Sequence, residues 1–153
     1  MNPESLPNIR PMSEADLDAV LLIEQSSFPV PWKREHFQHE IASPHSFPYI
    51  AEYDGRIAGY VCLMSLFEEA QILDIAVAVD QRGRGIGRHL MEKAFEVARE
   101  KDAEFMALEV RESGLAAIGL YEALGFKRTG IRANYYEATE NAILMEKNIK
   151  ETT

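Results

Sequence analysis

The sequence predicts an α/β fold, a mixed and mostly antiparallel central sheet of about seven strands with helices on both faces. Three observations predict it. Extended and helical runs follow one another in the order β-α-α-β-β-β-α-β-α-β-β. Asp54-Gly55 separates two extended runs and marks a tight hairpin. An apolar run over 72–79 passes through a glycine- and arginine-rich turn into an amphipathic helix.

Each element has a local reason. Asn8-Ile9-Arg10 reads as a short first strand. Ser13 opens a helix, with Asp16 as an acid at the capping-box position. Leu17, Val20 and Leu21 form its apolar stripe, and Glu24 follows at helical spacing. Phe28-Pro29-Val30-Pro31 stops it, and residues 33–42 form a second short helix that Ser43-Pro44 ends. Residues 49–53 and 57–66 are the hairpin strands, Glu68-Glu69 turns the chain, and 71–79 is a third long strand. The helix over 86–101 carries Leu90, Met91, Ala94, Phe95 and Ala98 on one face. Residues 105–110 are a strand, and 115–124 a helix that Gly125 closes. Residues 126–131 are extended, 132–136 form a loop, and 141–146 are the last strand.

Composition bounds the function. At 153 residues the chain is expected to be one domain, 1–153. Its 46% hydrophobic and 27% charged residues suit a soluble globular protein. No apolar run reaches the length of a membrane span, and Met1-Asn2-Pro3-Glu4-Ser5 opens no secretion signal, so a cytoplasmic protein without membrane partners is expected. A net charge of -9 argues against nonspecific nucleic-acid binding. Cys62 stands alone, which excludes a disulfide framework and suits a buried small residue. His36 and His39 share a helix face but lack a third ligand at recognisable spacing, so no metal is expected.

The segment Asp80-Gln81-Arg82-Gly83-Arg84-Gly85-Ile86-Gly87 carries the strongest functional signal. Glycines allow a tight turn and close approach to an anion. The N–H groups and dipole of the following helix favour negative charge. Arg82 and Arg84 add forked donors suited to phosphate. A Walker A loop would need Lys and then Ser or Thr where Arg88 and His89 stand. The spacing GxGxG, after the fourth strand, also fails the dinucleotide fingerprint. A glycine-rich turn with surface arginines remains the plain alternative.

Residues 75–87 resemble the acetyl-CoA-binding motif of the GCN5-related N-acetyltransferases (GNAT), whose Gln/Arg-x-x-Gly-x-Gly/Ala pattern falls on Arg82, Gly85 and Gly87. The resemblance implies that Arg82, Gly83, Arg84, Gly85, Ile86, Gly87 and Arg88 hold the coenzyme pyrophosphate. It also implies that the preceding strand, Ile75, Ala76 and Val77 among it, holds the pantetheine arm. A narrower likeness runs through Leu108-Glu109-Val110-Arg111, Leu120-Tyr121-Glu122-Ala123-Leu124-Gly125-Phe126, Arg132-Ala133-Asn134-Tyr135-Tyr136 and Phe28-Pro29-Val30-Pro31-Trp32. These segments are similar to the RimI-type branch, whose acceptor is the N-terminal alanine of ribosomal protein bS18.

From the residues alone, Glu109 also reads as a strand-end surface acid. Tyr121 equally reads as core stripe with Ala117, Leu120 and Leu124, and Trp32, Tyr135 and Tyr136 as loop packing. The resemblance implies catalytic roles instead: Glu109 takes the amine proton and Tyr121 protonates the departing sulfur. It implies an acceptor groove with Trp32, Asp74, Arg132, Asn134, Tyr135 and Tyr136. The chain departs from the family at Asp74 and Gly114, where Asn is usual. Acetylation of a lysine or a small amine is the alternative activity, and a CoA-binding protein without turnover is the alternative class.

Overall fold

The computed structural model describes residues 6–136 and 139–150. The elements are β1 (Asn8–Pro11), α1 (Leu17–Ser27), α2 (Arg34–Ala42), β2 (Ser46–Tyr53), β3 (Arg56–Leu66), β4 (Glu69–Val77), α3 (Ile86–Glu100), β5 (Phe105–Arg111), α4 (Leu115–Ala123), β6 (Lys127–Tyr136) and β7 (Glu140–Asn148). Single 3-10 turns at Glu14–Asp16 and Val79–Gln81 lie outside these helices. Seven strands form one helix-flanked sheet in the order β1-β2-β3-β4-β5-β7-β6. β4 and β5 pair in parallel over Glu69–Gln71 and Phe105–Ala107, while the β1–β2, β2–β3, β5–β7 and β6–β7 pairs are antiparallel. The predicted mixed sheet and element order are present. Among the described residues no helix is long and apolar enough to cross a membrane.

The chain forms two compact units. One runs to Met64 and takes up Leu73–Val97, and the other holds Ser65–Ile72 and the chain from Ala98 onward. In the first, Asp54 (φ 55°) and Gly55 (φ 77°) make the left-handed pair that a two-residue hairpin turn requires. Leu17, Val20 and Ile23 of α1 pack with Met12, Phe37, Ile50, Tyr60, Cys62 and Ala76. Ile23 therefore belongs to the stripe, and Leu21 is only partly buried. Arg10 donates to Asp16 at 2.8 Å and 2.9 Å and also to Glu52, tying β1 to the turn before α1 and to β2. Asp16 in turn accepts the Ser13 N–H at 2.8 Å, so Asp fills the capping role.

A bulge shapes the middle of this unit. Ala51 faces Gly59 and Glu52 faces Ile57, which leaves Ala58 as the extra residue on β3. The Ala58 carbonyl accepts the Ala78 N–H at 2.8 Å. Beside it, Gly59 lies so close to β4 that a Cβ would stand 2.7 Å from the Ala76 carbonyl oxygen and 3.3 Å from Leu90 Cδ1.

In the second unit, Met106, Leu108 and Val110 of β5 alternate into the core, and Glu109 lies on the other face. α4 ends at Gly125 (φ 98°), and the Phe126 N–H closes back on the Tyr121 carbonyl at 2.9 Å.

Strand boundaries differ from the sequence reading in several places; β2 begins at Ser46 rather than 49, and β7 spans Glu140–Asn148 rather than 141–146. The third long strand runs 69–77 rather than 71–79; Phe67 (φ 55°) makes the preceding turn, and Val79 leaves the sheet and is exposed. Residues 132–136 belong to β6 rather than to a loop, because Arg132 pairs with Ala142 and Tyr136 with Glu140. Asn134 (φ 51°) absorbs the irregularity between those pairs, a conformation that Asn tolerates well.

Two glycine substitutions should shift stability in opposite directions. Gly59→Ala meets rigid backbone, and overpacking of that kind costs about 2 kcal/mol. Gly119→Ala, on α4 with open space around it, should add about 0.5–1 kcal/mol. Urea midpoints at unchanged slope would read both.

Candidate functional site

The glycine- and arginine-rich turn folds as an anion seat. Gly83 (φ 82°) and Gly85 (φ 77°) are left-handed, and nothing lies within 4 Å of where their Cβ atoms would stand. The open side of both residues can therefore admit a ligand to the backbone. Gly87 needs no such freedom, since α3 has already begun at Ile86. The His89 N–H bonds the Gly85 carbonyl at 3.1 Å. The N–H groups of the helix's first turn lie ahead of that bond, and the helix itself has no acceptors for them. Arg82 donates to the Val77 carbonyl at 3.1 Å, and the Arg84 guanidinium lies 5.4 Å from the centre of the Tyr53 ring. Arg82, Arg84 and Arg88 are exposed. Glycine backbone, helix N-terminus and cations together fit a phosphate or pyrophosphate.

Asp74 and Trp32 belong to a second cluster, joined through a residue that the sequence reading did not assign to the site. Glu24 is 1% exposed. Its carboxyl accepts the Trp32 N–H at 2.8 Å and the Tyr60 hydroxyl, and it shares a hydrogen bond with the Asp74 carboxyl. The Asp74 carboxyl is buried too, and its Oδ2 meets no N–H or O–H donor among the described residues. Burial and the neighbouring Glu24 push Asp74 up to about 9. The Tyr60 hydroxyl and Cys62 thiol are pushed up as well, burial first and nearby carboxyls second. Asp74, expected at the acceptor, is thus an interior acid. The Trp32 ring packs on His36 (5.8 Å) and Phe37 (5.2 Å), and Phe37 packs on Tyr60 (5.7 Å).

The second unit collects the remaining candidates. Arg132 holds the Glu109 carboxylate at 2.9 Å while its guanidinium lies 4.7 Å from the Tyr135 ring centre. Arg111 sits 4.3 Å from the Tyr136 ring centre and bonds Glu140 at 3.1 Å; Glu140 also accepts the Ser113 N–H at 2.7 Å. The Tyr135 and Tyr136 rings meet edge to face at 5.0 Å. Burial, with Glu109 nearby, pushes the Tyr136 hydroxyl up to about 12. The Asn134 N–H donates to Asn141 Oδ1 at 3.0 Å. Tyr121 is buried with its ring 5.9 Å from that of Phe126. Gly114 caps α4, and a side chain there would start 3.2 Å from the Arg111 carbonyl oxygen. This group pairs a carboxylate that already holds a cation with aromatic walls.

Sequence reasoning missed Glu24, Tyr53, Tyr60 and Glu140. Only Glu24 left a local signal, an acid continuing an apolar helical stripe. Among the described residues no group of three or more His, Cys, Asp or Glu side chains is placed to hold a metal ion.

Known proteins resemble the chain throughout. A profile described as the acetyltransferase (GNAT) family matches residues 17–126. A Bacillus subtilis candidate for [ribosomal protein bS18]-alanine N-acetylation is 40% identical over 145 residues, covering 94% of this chain and 96% of that protein. The Escherichia coli [ribosomal protein bS18]-alanine N-acetyltransferase is 35% identical over 143 residues, covering 90% of this chain and 94% of that protein. The crystal structure of the Escherichia coli ribosomal-protein-S18-alanine N-acetyltransferase matches with a TM-score of 0.87 at 31% identity, covering 97% of each chain.

Three acids predict how stability varies with pH. Asp16 and Glu140 lie below their ordinary range, each chiefly through hydrogen bonds to its charge-bearing or polar neighbour. Their contribution is present above that range and is lost as pH falls through it. Asp74 has the opposite sign. It keeps its proton when folded and releases it when unfolded, so stability falls as pH rises from about 4 to about 9 and then levels. Asp74→Asn should remove that decline. Melting temperatures should therefore diverge in favour of the variant across this window.

Proposed function

The chain belongs to the acetyltransferase (GNAT) family and is an acetyl-CoA-dependent N-acetyltransferase, and we propose that it acetylates a protein N-terminal α-amine, that of the alanine of ribosomal protein bS18. We read residues 1–153 as a single domain of this family, working in the cytoplasm where a ribosomal acceptor is found. The observation that carries the reading is the cation seat at Glu109. A carboxylate that binds the Arg132 guanidinium at 2.9 Å beside the Tyr135 ring can receive a substrate ammonium in the same way. The acceptor itself is inferred from relatives that share nine-tenths of the chain.

The anion seat fits the coenzyme. Residues 82–88 would hold its pyrophosphate, and Ile75, Ala76 and Val77 its pantetheine arm. The coenzyme supplies an acetyl group activated as a thioester. The chain supplies the rest. Glu109 attracts the ammonium and accepts its proton, through water, which leaves a lone pair for attack on the carbonyl. Arg132 must leave Glu109 as the ammonium arrives, and the Tyr135 ring gives its charge a second partner. The Tyr121 hydroxyl donates a proton to the departing sulfur and is restored by the second proton that the attacking nitrogen sheds as it becomes an amide. Trp32, Arg132, Asn134, Tyr135 and Tyr136 hold the peptide end. No covalent link to the enzyme is required, so a Ser or Cys nucleophile is not needed.

Thiol release with acetyl-CoA tests this reading. A peptide beginning Ala-Arg-Tyr should be turned over. Its N-terminally blocked, lysine-containing form should not, and strong turnover of that form would favour a lysine acceptor instead. Tyr121→Phe and Glu109→Gln should each lower kcat by about 10²–10³-fold, the usual size of a lost acid or base. Coenzyme affinity should change far less in both. Near-normal turnover would remove either residue from the mechanism.

A further inference from the structure

We propose that Asp74 is a positioning residue for the acceptor: its carboxyl braces Glu24, and Glu24 holds the chain segment that presents Trp32. The inference rests on the reading of Trp32 as a wall of the peptide groove. Two carboxyl groups that share a hydrogen bond need a proton between them. The donors around the pair decide where it sits. Glu24 accepts both the Trp32 N–H at 2.8 Å and the Tyr60 hydroxyl, which stabilise a charged carboxylate. Asp74 has one main-chain donor, the Ile75 N–H, and its Oδ2 meets no N–H or O–H donor among the described residues. Glu24 gathers the stronger donor set, so the charge belongs on Glu24 and the proton on Asp74.

The consequence reaches Trp32 through its backbone. Pro29 and Pro31 have no N–H, so few main-chain donors anchor the turn between α1 and α2. The Trp32 N–H bond to Glu24 is one of these anchors. Ionising Asp74 would set two buried carboxylates against each other, with the Tyr60 hydroxyl and Cys62 thiol of β3 as further neighbours that cannot supply positive charge, and Glu40 of α2 acting on that same thiol. Glu24 would then turn away and release Trp32. Asn at position 74 keeps a donor toward Glu24 and has no proton to lose.

Trp32 is the single tryptophan of the chain, so intrinsic fluorescence reports this segment directly. The experiment compares wild type, Asp74→Asn and Asp74→Leu between pH 7 and 10. It records Trp32 emission, calorimetric affinity for a peptide beginning Ala-Arg-Tyr, and KM and kcat for that peptide. Wild type should show an emission transition near pH 9, with the dissociation constant rising about tenfold per pH unit beyond it as the competent fraction falls. KM should follow that rise, and kcat should move much less. Asp74→Asn should lack the emission transition and keep only the smaller loss of affinity that titration of the peptide amine imposes on both proteins; the same comparison sets aside the six tyrosines. Asp74→Leu should bind peptide weakly at every pH. Matching pH responses in wild type and Asp74→Asn would overturn the proposal. An emission transition without a change in peptide affinity would overturn it too. Failure of the acetyl-transfer reading would look different: peptide binding would follow the pattern above, with no acetylation at pH 7.5.

Discussion

One buried carboxyl inside the first unit constrains much of its layout. The Glu24 carboxylate has almost no access to water. A buried carboxylate without partners costs several kcal/mol, so donors must converge on it. They come from separate parts of the chain: the Tyr60 hydroxyl on β3, the Trp32 N–H after the prolines, and Asp74 on β4. α1 cannot rotate about its axis without stranding that charge. The Trp32 segment cannot lift away without leaving an N–H unpaired. The apolar packing of Leu17, Val20 and Ile23 accounts for the helix's burial, while the acid fixes its rotational setting.

The two candidate ligand regions rest on different physics. At residues 82–88 the chain uses backbone: left-handed glycines and a helix N-terminus present N–H groups, and side-chain charge supplements them. This places local positive character on a chain of net charge -9. At Glu109 it uses side chains, with a carboxylate paired to an arginine and bordered by aromatic rings. Backbone donors suit a ligand part that never varies, such as a pyrophosphate. Side chains on a strand suit a partner whose identity matters.

Legibility in the sequence followed the range of the interactions. The hairpin at Asp54-Gly55 and the turn at 82–85 were readable because glycine's conformational freedom is a local property. α3 was readable because its apolar face repeats over fifteen residues. Glu109 needed the family resemblance, since a strand-end acid has no local mark of function. Residues 132–136 were read as a loop because no alternation marks them; their strand character comes from pairing with β7. Gly59 carries no local mark either, as the β4 backbone that excludes a side chain there is distant in sequence. Asp74 was placed at the acceptor by analogy, and only the fold brings Glu24 up to it.

β6 lies at the end of the sheet, and its residues are exposed along almost its whole length. A strand with one bare side offers a template on which a second polypeptide can polymerise. The register breaks at Arg128/Gly130 and Arg132/Tyr136 interrupt that template, and Lys127, Arg128 and Arg132 add charge that resists a matching strand. The irregularity that puts Tyr135 and Tyr136 beside Glu109 thus also guards against aggregation. Straightening β6 to make it a better strand would trade solubility for order.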